Sequence, residues 1–157
     1  MKRDLHFAMT YPHPIEHVWL TITSAEAMTQ WLMPNDFKPV LGHRFQFRTK
    51  PAPGFDGIVH CEVLEMTPPE RLVYSWKGGG VDTRLIWTLK SVPEGTSLSL
   101  DHIGFQGLRG LFVSGILGKG WRSKILAVNL PAMLNQWSGS GPVPDVTEAS
   151  CHREKSA

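Results

Sequence analysis

The order of its segments most limits what this chain can become. Alternating, strand-like stretches come first, and one long apolar stretch, Leu111 to Trp137, comes last. A curved antiparallel sheet followed by one large helix buries both apolar faces most readily by closing around that helix. The space between them is then a packed core or a ligand cavity, so the order points to binding before catalysis.

The periodicities support this reading. Leu5 to Thr10 reads as a short strand, ended by Pro12 and Pro14, with Pro14 suited to the first turn of a helix. Ile15, Val18, Trp19 and Ile22 then recur at helical spacing, and Ser24 is placed to cap a second short helix carrying Ala27, Met28, Trp31 and Leu32. From Gly42 the period becomes two. Phe45 and Phe47, then Val59, Cys61 and Val63, then Leu72, Tyr74 and Trp76 form successive one-sided faces. Leu85, Trp87 and Leu89 are expected to pair antiparallel with Leu98, Leu100 and His102 across the Pro93-Glu94-Gly95 turn. Gly104 to Gly120 is rich in glycine and reads as a mixture of a mobile loop and the start of the last helix. Beyond it, Trp121, Ile125, Val128 and Ala132 make one helical stripe, and Leu126, Leu130, Met133 and Trp137 make a second on the other side. Pro131 removes a helical hydrogen bond and is expected to kink the helix or restart its period. Residues 1–137 thus read as one domain, and 138–157, rich in Gly, Ser, Pro and charge, as a disordered tail.

Composition excludes some partners. With 157 residues the chain can bury a core without staples, and 41% hydrophobic against 19% charged residues is ordinary for a globular protein. A net charge of +2 gives no basis for a nucleic-acid partner. No apolar run reads as a signal peptide or a bilayer span, so no membrane partner is expected and a reducing cytoplasm is the simplest location. Cys61 lies in a strand and Cys151 in the tail, which makes a bridge between them unexpected.

Several segments together resemble a known family. Pro14-x-Glu16-x-Val18-Trp19 followed by Trp31, the run Pro68-Pro69-Glu70-Arg71-Leu72-Val73-Tyr74-Ser75-Trp76, Gly95-Thr96-Ser97-Leu98 and Gly120-Trp121 resemble the family named for the activator of the heat-shock-protein-90 ATPase. That family belongs to the START-like, or SRPBCC, helix-grip superfamily. The resemblance covers about residues 5 to 137. It implies an α+β helix-grip fold: a curved antiparallel sheet around a long C-terminal helix, with two short helices after the first strand. It also implies a cavity that often takes small apolar molecules. The eukaryotic activator carries a separate N-terminal domain for which this chain has no room, so the cochaperone role does not carry over directly. The family supplies no shared catalytic motif.

The inward-facing set is the candidate site. Phe45, Phe47, Val59, Trp76, Trp87, Leu100, His102, Phe105, Leu117 and Trp121 are expected to line a cavity, or else simply to fill the core. His102 shares the parity of Leu98 and Leu100, so it either orients a ligand or satisfies a backbone carbonyl. His13 and His17 mimic a metal-ligand spacing, but Pro14 sets His13 outside the helix and a surface pair is expected. Ser99 and Asp101 face away from His102, which opposes a hydrolase triad. No catalytic residue, metal or cofactor is assigned. The leading reading is a non-catalytic binder of a small hydrophobic molecule, with Gly104–Gly120 as an entrance flap. The alternatives are a protein-interaction module, such as a stress-related chaperone partner, docking through Leu126, Leu130, Met133 and Trp137, unless that stripe packs under the N-terminal helices or mediates a homodimer, and a cavity enzyme of cyclase or hydrolase type with His102 as base.

Overall fold

The computed structural model describes residues 2–139 and 141–144. The reading of 138–157 as a disordered tail falls largely outside these residues, as does that of Cys151. One six-stranded antiparallel sheet is formed by β1 (Lys2–Tyr11), β2 (Arg44–Arg48), β3 (Ile58–Thr67), β4 (Arg71–Gly78), β5 (Val81–Val92) and β6 (Gly95–Gln106), in spatial order β1-β6-β5-β4-β3-β2. Two short helices, α1 (Ile15–Ile22) and α2 (Ala25–Trp31), follow β1. The C-terminal helix runs from Gly107 to Gln136 in three parts: α3 (Gly107–Gly120), a π-helical stretch (Trp121–Asn129) and α4 (Leu130–Gln136). This is the α+β helix-grip arrangement that the order of the segments implies.

Local chemistry places the elements. Ser24 caps α2, its Oγ accepting from the Ala27 N–H at 3.2 Å. Gly79 and Gly80 join β4 to β5 with φ of +62° and +83°, the left-handed pair that a tight two-residue hairpin needs. Leu85, Trp87 and Leu89 stand opposite His102, Leu100 and Leu98, as the parity predicts. A bulge at the end of β6 then changes the parity. Two steps along β1, from Arg3 to Leu5, face three along β6, from Phe105 to His102. Gly104 takes up the extra residue at φ +99°, and its N–H donates to Asp4 Oδ1 at 2.9 Å. Phe105 is thereby turned inward, fully buried, with its ring 4.6 Å from that of His102.

Two expectations about the last helix are corrected. Gly104–Gly120 holds the start of the last helix, as expected, but no loop before it: β6 continues to Gln106 and α3 begins at Gly107. The glycines there serve close approach. Gly110, Ser114 and Gly118 make a buried stripe against the sheet. A Cβ on Gly110 would stand 3.0 Å from the Phe105 carbonyl carbon, and one on Gly118 would touch Leu5 at 3.5 Å. The second correction concerns which stripe is covered. Of the readings open for Leu126, Leu130, Met133 and Trp137, the structure has them buried in the core, with α4 packed against α1 and α2, and not exposed as a docking patch, whereas Val128 is 43% exposed and Ile125 half-buried.

The π stretch is the reason. The Leu130 N–H reaches back five residues to the Ile125 carbonyl, so Trp121 shares its face with Leu126 rather than Ile125. In that register the Leu126 carbonyl would accept from residue 131, which is proline and has no N–H. Tyr11, at the end of β1, supplies the missing donor: its hydroxyl donates to the Leu126 oxygen at 2.8 Å. Burial raises the Tyr11 pKa, which keeps that hydroxyl protonated.

Candidate functional site

An apolar pocket of about 490 Å³ lies where α3 crosses the far end of the sheet. Its floor is the inward face of β3, β4 and β5, at Val59, Trp76 and Val81. Its roof is the outer turn of α3, at Phe112, Val113, Ile116 and Leu117. The β2–β3 connection closes one side with Ala52, Pro53 and Phe55, and Met33, just past α2, closes another. Phe112 and Ile116 stand at the rim, 71% and 58% exposed, although both are large and apolar. The volume falls within the range of small-molecule sites, and the wall is almost wholly hydrocarbon.

Among the described residues, Arg109 is the one charged side chain on this wall. It lies along the pocket edge because two glycines leave room for it. Gly54 and Gly80, at φ +78° and +83°, would each bring a Cβ within 2.4 Å of its side chain. Its Nε donates to the Gly79 carbonyl and its Nη2 donates to the Gly54 carbonyl at 2.7 Å. One arginine on α3 thus ties together the β4–β5 hairpin and the β2–β3 connection.

Val59, Trp76 and Leu117 border this pocket, while the other residues expected around a cavity pack elsewhere. Phe45 and Phe47 join Phe37, Tyr74 and Trp76 in an aromatic cluster, with Phe37 and Phe45 edge-on at a centroid distance of 5.1 Å and Phe47 tilted against Trp76 at 5.4 Å. Trp87 lies edge-on between Trp31 and Trp121, 5.8 Å from each. Leu100 and Phe105 are fully buried. The aromatic rings fill the deep part of the sheet–helix space, so the hollow is displaced toward α3 and the β4–β5 turn.

His102 belongs to that deep part. The Thr83 hydroxyl donates to the Trp76 carbonyl at 2.8 Å, so its oxygen is the acceptor facing His102 Nε2, also at 2.8 Å. The Trp121 indole N–H donates to Nδ1 at 3.3 Å. One nitrogen must therefore carry a proton and the other must present a lone pair, which is a neutral Nε2–H imidazole. Burial pushes its pKa down to about 3. The expectations that it orients a ligand, caps a backbone carbonyl or acts as a base all give way to this one. Its single lone pair is occupied by Trp121.

The remaining polar candidates stay apart. Asp101 accepts from or pairs with His6 across the β1–β6 ladder on the outer face, away from His102. His13 bonds Asn135 at 2.9 Å and His17 bonds the Trp137 carbonyl, which pins the end of α4 to α1. Among the described residues no group of three or more His, Cys, Asp or Glu could hold a metal ion. Cys61 is buried, and burial raises its thiol pKa. A larger groove of about 630 Å³ runs over the outer face of β2–β4. It is bounded by Arg44, Gln46, Arg48, His60, Glu62 and Lys77, the solvated parity of those strands, and Arg44 and Glu62 neutralise each other at 3.1 Å.

The pocket residues that sequence reading missed are those without a period. Met33, Ala52, Pro53 and Phe55 lie in connections, Arg109, Phe112, Val113 and Ile116 lie in the segment read as part loop and part helix start, and Val81 opens β5 just beyond the Gly78–Gly80 turn, ahead of the alternation read from Leu85. A helical reading of Leu108, Phe112 and Ile116, spaced by four, was the available signal.

A curved antiparallel sheet gripping a long C-terminal helix, with an apolar pocket at their crossing, defines a helix-grip protein. Residues 12–124, more than half of the 157, match the family described as Activator of Hsp90 ATPase homolog 1-like protein. The chain belongs to that family. Protein MLL2253 from Mesorhizobium loti is 30% identical, with a TM-score of 0.69, over 76% of this chain and 88% of that one. Bacillus halodurans protein BH1534 is 25% identical, with a TM-score of 0.62, over 77% of this chain and 91% of its own. CalU16 from Micromonospora echinospora is 21% identical, with a TM-score of 0.66, over 99% of this chain and 85% of its own, and shows the fold alone. No curated protein matches the chain. Among the described residues no helix is long and apolar enough to cross a membrane.

Proposed function

We propose that this protein binds a small hydrophobic molecule in the pocket between α3 and the β3–β5 end of the sheet. The observation that carries the reading is the pocket itself. It is a hydrocarbon-walled hollow of about 490 Å³ in a domain whose deep core is otherwise tightly filled by aromatic rings. Exposed Phe112 and Ile116 at its rim support the same reading, because a guest would cover apolar surface that otherwise faces water. The buried state of Leu126, Leu130, Met133 and Trp137 removes the motive for a docking patch there.

The test is a titration with fatty acids, fatty alcohols and aromatic metabolites, followed through tryptophan fluorescence, since Trp76 lies in the pocket floor. Saturable binding is expected, and Val113→Trp, which adds bulk to the half-buried roof, is expected to abolish it while the fold is retained. Absence of saturable binding across the panel, or equal binding by the filled variant, overturns the proposal.

A further inference from the structure

The geometry points to a ligand with a negatively charged head: an anionic amphiphile whose apolar body fills the pocket and whose carboxylate, or similar oxyanion, sits on Arg109. This rests on the reading above and specifies the chemical class it leaves open. Three observations carry it. First, among the described residues the pocket wall has only two polar side chains, Thr49 and Arg109, so an apolar guest bearing one anionic group has a single charged place to put it. Second, Arg109 is not neutralised. Its two hydrogen bonds go to the carbonyls of Gly79 and Gly54, and among the described residues no carboxylate pairs with it. Those bonds use the Nε hydrogen and one Nη2 hydrogen, so the Nη1 hydrogens and the second Nη2 hydrogen remain for a guest.

Third, the fold holds the guanidinium still. The two backbone acceptors belong to different connections, and the glycines at 54 and 80 give it a channel in which a side chain at either position would collide with it. An arginine fixed in this way has already lost much of the side-chain entropy that weakens ordinary surface ion pairs. The charge of the C-terminal helix agrees in sign. From His102 to Pro144 the chain has no Asp or Glu, while Arg109, Lys119, Arg122 and Lys124 all lie within it. An anion approaching α3 therefore meets only cations on the C-terminal helix, while Asp56 and Asp82 lie in or beside the two connections that hold Arg109.

Matched probes separate this inference from the pocket reading. Decanoate and 1-decanol share a chain and differ in the head, and both are titrated calorimetrically into the full-length protein at low and high salt. Decanoate is expected to bind about fivefold to tenfold tighter at low salt, the gain expected of one well-placed charge-assisted hydrogen bond pair at a partly exposed site. That preference should shrink as salt is added. Arg109→Gln is expected to erase the preference while decanol still binds, which also reports that the pocket is intact. Arg109→Lys should keep part of it, and Lys119→Gln, which removes only a distant charge, should lower it by less than about twofold. Equal binding of the two probes, or a preference that survives Arg109→Gln, overturns the charged-head inference and leaves the pocket reading standing. Binding of neither probe overturns both.

Discussion

His102 offers the sharpest quantitative check on the deep core. In the fold its imidazole is neutral, with Nε2–H on the Thr83 oxygen and Nδ1 accepting from Trp121, and burial holds its pKa at about 3. Once unfolded, the same group titrates near 6.5. Between these values the unfolded chain binds one proton more than the folded one, so stability rises with pH across the window and falls as pH drops through it. Below pH 6.5 the slope approaches one proton, about 1.4 kcal/mol per pH unit. Going from pH 6.5 to about 4.5 should therefore cost about 2 kcal/mol through this residue alone.

The assay is urea unfolding at a series of pH values, comparing the native chain with His102→Leu. The variant starts weaker by about 1–3 kcal/mol, because the Trp121 N–H loses its acceptor and the Thr83 oxygen its donor. Its pH dependence over the window should be flatter by about one proton, since the carboxylates and exposed histidines are common to both proteins. Parallel stability curves for the two proteins would refute the neutral, doubly bonded imidazole.

Three further substitutions address the helix. Tyr11→Phe keeps the ring but leaves the Leu126 carbonyl, already deprived of a partner by Pro131, buried without a donor, and should cost about 1–3 kcal/mol in urea unfolding. A loss below about half a kcal/mol would mean that water or a shifted helix register serves that carbonyl instead. Gly110→Val places side-chain atoms where a Cβ would already lie 3.0 Å from the Phe105 backbone, so about 1–3 kcal/mol of overpacking is expected, with α3 pushed off β6. Gly115→Ala, with open space around its Cβ, should be neutral or stabilising by up to about 1 kcal/mol.

Much of the fold could be read from residue order because period-two alternation is a local property. The inward parity of Leu98, Leu100 and His102, and their pairing with Leu89, Trp87 and Leu85, follow from alternation and one short turn. The Ser24 cap is equally local. What escaped the reading depends on contacts distant in sequence. The phase of the last helix is set by Pro131 together with Tyr11, 120 positions upstream of it, and no window around Leu126 contains that hydroxyl. The glycines of α3 look like a flexible loop until Leu5 and Phe105 are brought against them. The pocket was misplaced for a related reason. Alternation identifies which residues face inward, but not which of them are already filled by neighbouring rings. Trp87 and Trp121 face inward and touch each other, whereas Val59 and Trp76 face inward toward space. Arg109 was missed because its role comes from two carbonyls, 30 and 55 residues away.

The most direct measurement is methyl-resolved NMR of the protein titrated with 1-decanol. Resonances of Val59, Val81, Val113, Ile116 and Leu117 should shift together with one saturation curve, while those of Leu98, Leu100 and Leu130, deep in the packed core, stay in place. Methyls under α3 that remain unmoved, or shifts confined to the deep core, would contradict a guest-accepting hollow at the crossing of α3 and the sheet.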